Sequence, residues 1–356
     1  MAKYLVTGGA GFIGSHLVEY LLDKGDEVVV IDDLSTGRLD NIEHLEDNPK
    51  FDYVIDSVTH EALLVNLVEQ ADRIFHLASA VGVKLVMDAP VQAIEATLYG
   101  TELVLNAASG SGKKVLITSS SEVYGKNNAV PFREDSDLIF GPTTVTRWCY
   151  GCAKTMDEFL ALAYWRQEKL PVVLARLFNT VGPRQSGLYG MVLPRFVEQA
   201  LTGGPLTVFG DGSQTRCFCS VSDVVEALYA LMHSDAASGE VVNVGTDREI
   251  AIMELAKLVR SRVNPKAEIQ CVPYKQVYGE DFEDLGRRVP DLAKVKRLIG
   301  WEARMSLEET IDRVAEQVGR GLEGMRESVS GRPRGSTGSP SRGKSRGRKS
   351  KPPKGS

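Results

Sequence analysis

"TGGAGFIG", residues 7–14, is the stretch that decides the fold. It follows "KYLVTG" (3–8), a short run that reads as a buried strand, and opens "FIGSHLVEYLLDKG" (12–25), which reads as a helix. Gly8, Gly11 and Gly14 stand at G-x-x-G-x-x-G spacing, and Gly9, Gly11 and Gly14 also satisfy G-x-G-x-x-G. Glycines in such a strand–turn–helix let the backbone approach a pyrophosphate, and the helix N-terminus stabilises its negative charge. "EVVVID" (27–32) then brings Asp32 eighteen residues past Gly14. A carboxylate there can accept hydrogen bonds from an adenine ribose diol, and it repels a 2′-phosphate. NAD is therefore expected rather than NADP, with Arg38 the counter-indication.

The same alternation continues outward. "RIFHLAS" (73–79), "KVLITSS" (114–120) and "PVVLARLFN" (171–179) read as further buried strands. "HEALLVNLVEQ" (60–70), "PVQAIEATLYGTELVLNAAS" (90–109) and "CAKTMDEFLALAYWRQE" (152–168) read as helices between them. Strand and helix in turn predict an α/β fold, a Rossmann-type doubly wound parallel sheet. After residue 180 the order loosens into helices near 193–203, 221–234, 252–263 and 306–320 and a strand at 240–245. These predict a smaller C-terminal α+β region closing a cleft.

Composition sets the limits. Of 356 residues, 43% are hydrophobic and 25% charged, as in an ordinary soluble protein. The opening "MAKYLVTGGAG" lacks the basic and apolar regions of a secretory signal, and no apolar run reaches membrane-spanning length. A cytoplasmic protein without membrane contact is expected. Five cysteines, an odd number, argue against a disulfide framework. The net charge of −5 hides a division: from Arg332 to the end there are nine Lys/Arg and no Asp/Glu, leaving about −14 on the residues before it. This Gly-, Ser- and Pro-rich basic stretch, with its approach from 325, is expected to be a disordered tail. An acidic body argues against nucleic acid as the main ligand, beyond weak non-specific contact by the tail.

"TRWCYGCAK" (146–154) overlays two chemistries. Cys149 and Cys152 form C-x-x-C, but the other cysteines supply no second pair and the histidines are scattered, so no metal site is expected. They are read as small helix-packing residues. Tyr150 and Lys154, at i and i+4, share one helix face. An ammonium beside a phenol favours the phenolate, so this tyrosine is expected to be tuned for exchanging a proton. "LITSSSEVYG" (116–125) ends a strand at the sheet's C-terminal edge, where a hydroxyl can hold a reacting sugar oxygen near it.

Glycine loop, acid, serine-rich strand end and Y-x-x-x-K, in this order, resemble the extended short-chain dehydrogenase/reductases, specifically the NAD-dependent nucleotide-sugar epimerase/dehydratase family. "HLAS" (76–79), "RLFNTVGPRQ" (176–185), "LTVFGDGSQTRCFCSVSDVVEAL" (206–228) and "RRVPDLAKVKRLIGW" (287–301) extend the likeness over about residues 3–322. The resemblance implies a catalytic triad of Tyr150, Lys154 and Ser120, with Glu122 beside it. It implies cofactor contacts at Gly8, Gly11, Phe12, Ile13, Gly14, Asp32, Asp56, Ser57 and Ala78, and at Tyr150 and Lys154 as well. It places Ser121 against the substrate, Asn179 near the sugar diphosphate, and Arg216 and Arg288 around the nucleotide. Thr97 departs from the asparagine usual in relatives. The implied organisation is an NAD-binding domain (1–178 and 217–247), a nucleotide-sugar-binding region (179–216 and 248–324) and the tail (325–356). A homodimer paired through the helices near 90–109 and 150–168 is also implied.

In such enzymes the tyrosinate removes the O4 proton, and hydride transfer to NAD leaves a 4-keto sugar. Ser121 replaces the acid that a 4,6-dehydratase uses on its leaving hydroxyl, which disfavours dehydration. Ser121-Glu122 resembles UDP-glucuronate decarboxylases, whereas "GPTTVTRWCYGCAK" and "VLPRFVEQAL" look more like UDP-glucose 4-epimerases. The expectation is therefore an isomerase, a UDP-sugar 4-epimerase, with decarboxylation of UDP-glucuronate as the alternative. A non-catalytic NAD-binding or scaffold protein is the alternative of another class.

Overall fold

Successive residues of an extended chain point to opposite faces, so the apolar runs that alternate with helices can bury both sides of one sheet. The computed structural model describes residues 1–79, 87–187, 190–278 and 286–329. In chain order the first half comprises β1 (Lys3–Thr7), α1 (Phe12–Asp23), β2 (Glu27–Asp32), β3 (Phe51–Ile55), α2 (Glu61–Gln70), β4 (Arg73–His76), α3 (Pro90–Ser111), β5 (Lys114–Ser120), α4 (Cys149–Glu168) and β6 (Val172–Leu177). There follow β7 (Thr180–Val181), α5 (Val192–Thr202), β8 (Leu206–Phe209), β9 (Thr215–Cys217), β10 (Cys219–Ser220), α6 (Val221–His233) and β11 (Glu240–Val244). The chain continues through β12 (Glu249–Ala251), α7 (Ile252–Val263), β13 (Ile269–Val272), α8 (Tyr274–Tyr278), α9 (Ala293–Ile299) and α10 (Leu307–Val329).

Seven strands form one sheet in the order β11-β6-β5-β4-β1-β2-β3, every pairing parallel. This is the expected doubly wound fold. The order reverses between β1 and β4, which opens a crevice at their C-terminal ends. Tyr4, Val6 and Val30 pack with Leu17 and Leu21 of α1 and Leu228 of α6 on one face. Leu5, Ile31 and Ile117 meet Leu64 of α2, Val104 of α3 and Ala161 of α4 on the other. A third cluster joins Phe196 of α5, Val208 of β8, Leu255 of α7 and Ile311 of α10.

Several expectations shift. β3 was not foreseen, because "FDYVI" is an edge strand with exposed Asp52 and Ile55 and lacks the continuous apolar signal of its neighbours. The strand expected over 73–79 ends at His76, and α4 starts at Cys149 rather than 152, which brings Tyr150 inside the helix. α10 continues to Val329, so the tail expected from 325 begins on helical backbone: Leu322, Met325 and Val329 keep the helical spacing. The rest of that tail, 330–356, lies outside the described residues. Among the described residues no helix is long and apolar enough to cross a membrane.

Candidate active site

The glycine turn is built by close approach. Gly8 has φ +71°, in the left-handed region, and a Cβ on it would sit 2.8 Å from the Ala78 nitrogen. A Cβ on Gly14 would sit 2.1 Å from the Gly8 oxygen. α1 begins after Gly11 with no side-chain cap, so its first-turn N–H groups face the crevice as donors for an anion. Asp32, at the end of β2, is buried and accepts from the backbone N–H groups of Ala10 and Leu34, each at 2.9 Å. Burial raises its pKa, partly offset by those donors. Arg38 donates to Asp40 at 2.8 Å. Beyond β3, Asp56 accepts from Ser57 N–H at 2.7 Å and pairs with His60 at 2.9 Å. Together these residues form a cradle that fits a dinucleotide.

A single cleft of about 1120 Å³ connects this cradle to the ends of β5 and β6, and every site residue singled out above lines it. Ser120 ends β5, and its hydroxyl accepts from Glu122 N–H at 3.2 Å, capping the 3₁₀ turn Ser121–Tyr124. Ser121 is buried in that turn. Tyr150 and Lys154 lie on α4, both buried.

The electrostatics differ from expectation. The Tyr150 phenol is held well above the ordinary tyrosine range, not lowered. Burial is the main cause, followed by the charge of Glu122; the nearby Ser79 and Ser120 hydroxyls pull in the opposite direction, and Asp157 adds to the rise. The Lys154 ammonium pairs instead with Asp157, at 3.2 Å. Sharing a helix face brought the lysine near, but a buried carboxylate one turn away captured it.

Glu122 is clamped between two guanidiniums. Arg147 Nη1 lies 2.7 Å from its Oε2, and Arg288 Nη1 donates to its Oε1. Burial alone would push Glu122 up, but Arg288 and then Arg147 outweigh it and hold the carboxyl well below the usual carboxylate range. Arg288 thus stands at the Tyr150 end of the cleft. Its Nε is buried without a hydrogen-bond partner. Asn179, at φ +31°, donates through Nδ2 to the Cys217 carbonyl at 3.0 Å, and Arg216 donates to the Thr215 carbonyl at 2.8 Å.

Sequence reasoning missed Arg147, Ser79 and Asp157. Arg147 and Asp157 lay in quoted stretches, but nothing in their spacing signalled a partner. Ser79, at the end of "HLAS", shares a hydrogen bond of 3.1 Å with Thr97, the departing position, whose hydroxyl also donates to the Ala93 carbonyl. Cys149 packs on Tyr150 and Ala93 as a small filler, whereas Cys152 is exposed, because the helix turns it outward.

A family model described as GDP-mannose 4,6 dehydratase matches residues 5–314. The chain is 41% identical over 87% of its length to the UDP-N-acetyl-alpha-D-glucosaminuronate decarboxylase of Bacillus cytotoxicus, covering 96% of that protein. It is 39% identical to UDP-glucuronic acid decarboxylase 1 of Arabidopsis thaliana, over 88% of this chain and 68% of the relative. Among solved structures it resembles the UDP-glucuronic acid 4-epimerase of Bacillus cereus, crystallised with UDP-glucuronic acid and NAD. The TM-score is 0.80 at 28% identity, over 89% of this chain and 99% of that one.

Proposed function

Since the chain belongs to the NAD-dependent nucleotide-sugar epimerase/dehydratase family of extended short-chain dehydrogenase/reductases, we propose that it decarboxylates a UDP-uronic acid. The observation that carries this reading is the Arg147–Glu122–Arg288 cluster. Two guanidiniums set against one carboxylate make the cleft wall beside Tyr150 a setting suited to a sugar carboxylate. Glu122, held ionised, is a poor proton donor, which together with Ser121 counts against expulsion of a 6-hydroxyl. The names of the relatives favour the same reading.

Bound NAD, seated on the glycine turn and Asp32, would accept the C4 hydride and return it. Tyr150 Oη takes the O4 proton after releasing its own to solvent, against the burial and Glu122 charge that raise its pKa, with Ser120 Oγ holding O4 in line. Lys154 supplies the positive charge that makes this possible. A 4-keto uronate is a β-keto acid, so its C5–C6 bond breaks with loss of CO₂, the electron pair passes into the enolate, and C5 takes a proton from water before hydride returns to C4. The Arg288 and Arg147 charges hold the carboxylate until it leaves. We assign cofactor binding to residues 1–178 and 217–247 and sugar-nucleotide binding to 179–216 and 248–324, with Asn179 and Arg216 toward the diphosphate and nucleotide.

4-Epimerisation is the second reading, favoured by the likeness to an epimerase that binds UDP-glucuronic acid; it needs no acid or base beyond Tyr150. Proton NMR with NAD and UDP-glucuronate, its N-acetylated analogue and UDP-glucose in turn separates the two. A five-carbon sugar with released CO₂ establishes decarboxylation. A new six-carbon anomeric signal with galacto couplings establishes epimerisation, and no reaction by any of them sinks both. We also infer a homodimer, formed through exposed apolar residues Val91 and Tyr99 of α3 and Met156 and Phe159 of α4.

A further inference from the structure

Adjacent acids on α4 serve different ends. Glu158 has both oxygens engaged: Arg176 donates from Nε at 2.9 Å and Nη2 at 2.6 Å, and Ser119 Oγ adds a bond of 2.6 Å. That satisfied pair ties α4 to β5 and β6. Asp157, 1% exposed, is not built this way. Its Oδ2 accepts from Lys154 at 3.2 Å, and its Oδ1 lacks a well-formed hydrogen bond, although the Thr101 hydroxyl lies close enough to favour the ionised carboxyl. A buried carboxylate oxygen left unsatisfied is unusual where stability alone is at stake. Asp157 touches the cleft only through Lys154, which lines it.

We propose that Asp157 is a positioning residue that anchors the Lys154 ammonium and so divides its charge between this carboxylate and the Tyr150 phenol. The inference rests on reading Tyr150 and Lys154 as the proton-handling pair. The groups facing Tyr150 are Glu122 from the turn after β5, Asp157 from its own helix, and the hydroxyls of Ser79 and Ser120. Arg147 and Arg288 stand behind Glu122. Asp157 faces Thr101 of α3 and its neighbour Glu158. Beyond Thr101 lies His76, hydrogen-bonded to Thr101 at 3.1 Å and Thr7 at 2.8 Å. Burial and then Lys154 hold His76 at about 3, so it is neutral. Lys154 is thus the cation paired with Asp157 and, four residues after Tyr150, it shares a helix face with the phenol. Removing the Asp157 charge frees that ammonium for the phenol and also removes a nearby negative charge.

The test is ¹³C NMR on protein carrying Cζ-labelled tyrosine, used as purified, with the Tyr150 signal assigned by its absence in Tyr150→Phe. Titration runs to about pH 11, roughly one unit above an ordinary tyrosine, with circular dichroism confirming the fold. In the wild type the Tyr150 signal should stay protonated. In Asp157→Asn the Tyr150 signal should ionise within that range, a gain of at least about a hundredfold in its ionisation constant, and adding Lys154→Met should remove most of it. An unchanged titration in Asp157→Asn overturns the proposal. A gain that survives undiminished in the double variant overturns it too, because the direct charge of Asp157 on Tyr150 would then account for all of it. If Asp157→Asn does not fold, Asp157→Ser carries the same expectations. Turnover by Tyr150→Phe would sink the underlying reading separately, whatever the titration shows.

Discussion

Tyr150 is surrounded by charges of both signs, and its acidity is a balance among them. Residue spacing revealed the Tyr150–Lys154 neighbourhood but not the Lys154–Asp157 pair, since which buried anion captures an ammonium depends on rotamers and depth. Tyr150→Phe should lower kcat by about 10²–10⁴-fold, the usual contribution of a positioned acid–base group, with the NAD Kd unchanged. NMR assays and calorimetric titration would check it; retained turnover would remove Tyr150 from the role of base. Glu122 invites a second substitution. Glu122→Gln leaves two buried guanidiniums without their anion and should cost about 3 kcal/mol at pH 7 by denaturant unfolding. The folded pKa of Glu122 lies below the unfolded one, so its contribution is full above the ordinary carboxylate value and fades as pH falls toward the folded value. The stability gap between wild type and variant should therefore narrow at pH 4 and below, where ~4.3 is the ordinary glutamate value. A gap independent of pH would contradict the clamp.

At the scale of elements, the glycine turn was legible because each constraint on it is local: a strand, a tight turn, a helix start and an acid at fixed spacing. Gly14→Ala tests it. The added Cβ would meet the Gly8 carbonyl at 2.1 Å and must push the turn open. A loss of about 1–3 kcal/mol is expected, the range for overpacking, along with a large rise in the NAD Kd by calorimetry. Unaltered binding would place the dinucleotide elsewhere. β3 was illegible because an edge strand pairs on one side and tolerates Asp52. Arg147 was illegible because the 3₁₀ turn Thr146–Trp148 that aims it has no sequence signature.

At the scale of the whole molecule, α3 and α4 pack on each other yet still expose Val91, Tyr99, Met156 and Phe159, the last 63% exposed. Phe159→Asp should convert a dimer to a monomer in size-exclusion chromatography with light scattering, with little effect on folding because the side chain lies outside the core. A wild-type monomer would overturn the inferred dimer. The cleft itself is a product of this scale. It gathers residues from the first glycine turn to Arg288, which meets Glu122 from 166 residues away in the chain.

By itself the sequence determined the doubly wound sheet, the dinucleotide cradle and the Tyr150/Lys154/Ser120 neighbourhood, because hydrophobic period, turn chemistry and helix spacing act over a few residues. Only the tertiary structure decided that Glu122 lies between Arg147 and Arg288, that Lys154 turns to Asp157, and that burial and Glu122 raise the Tyr150 phenol above the ordinary tyrosine range. Those outcomes depend on Coulomb interactions and desolvation among residues distant in the chain, and such energies exist only once folding has set the distances and excluded the water.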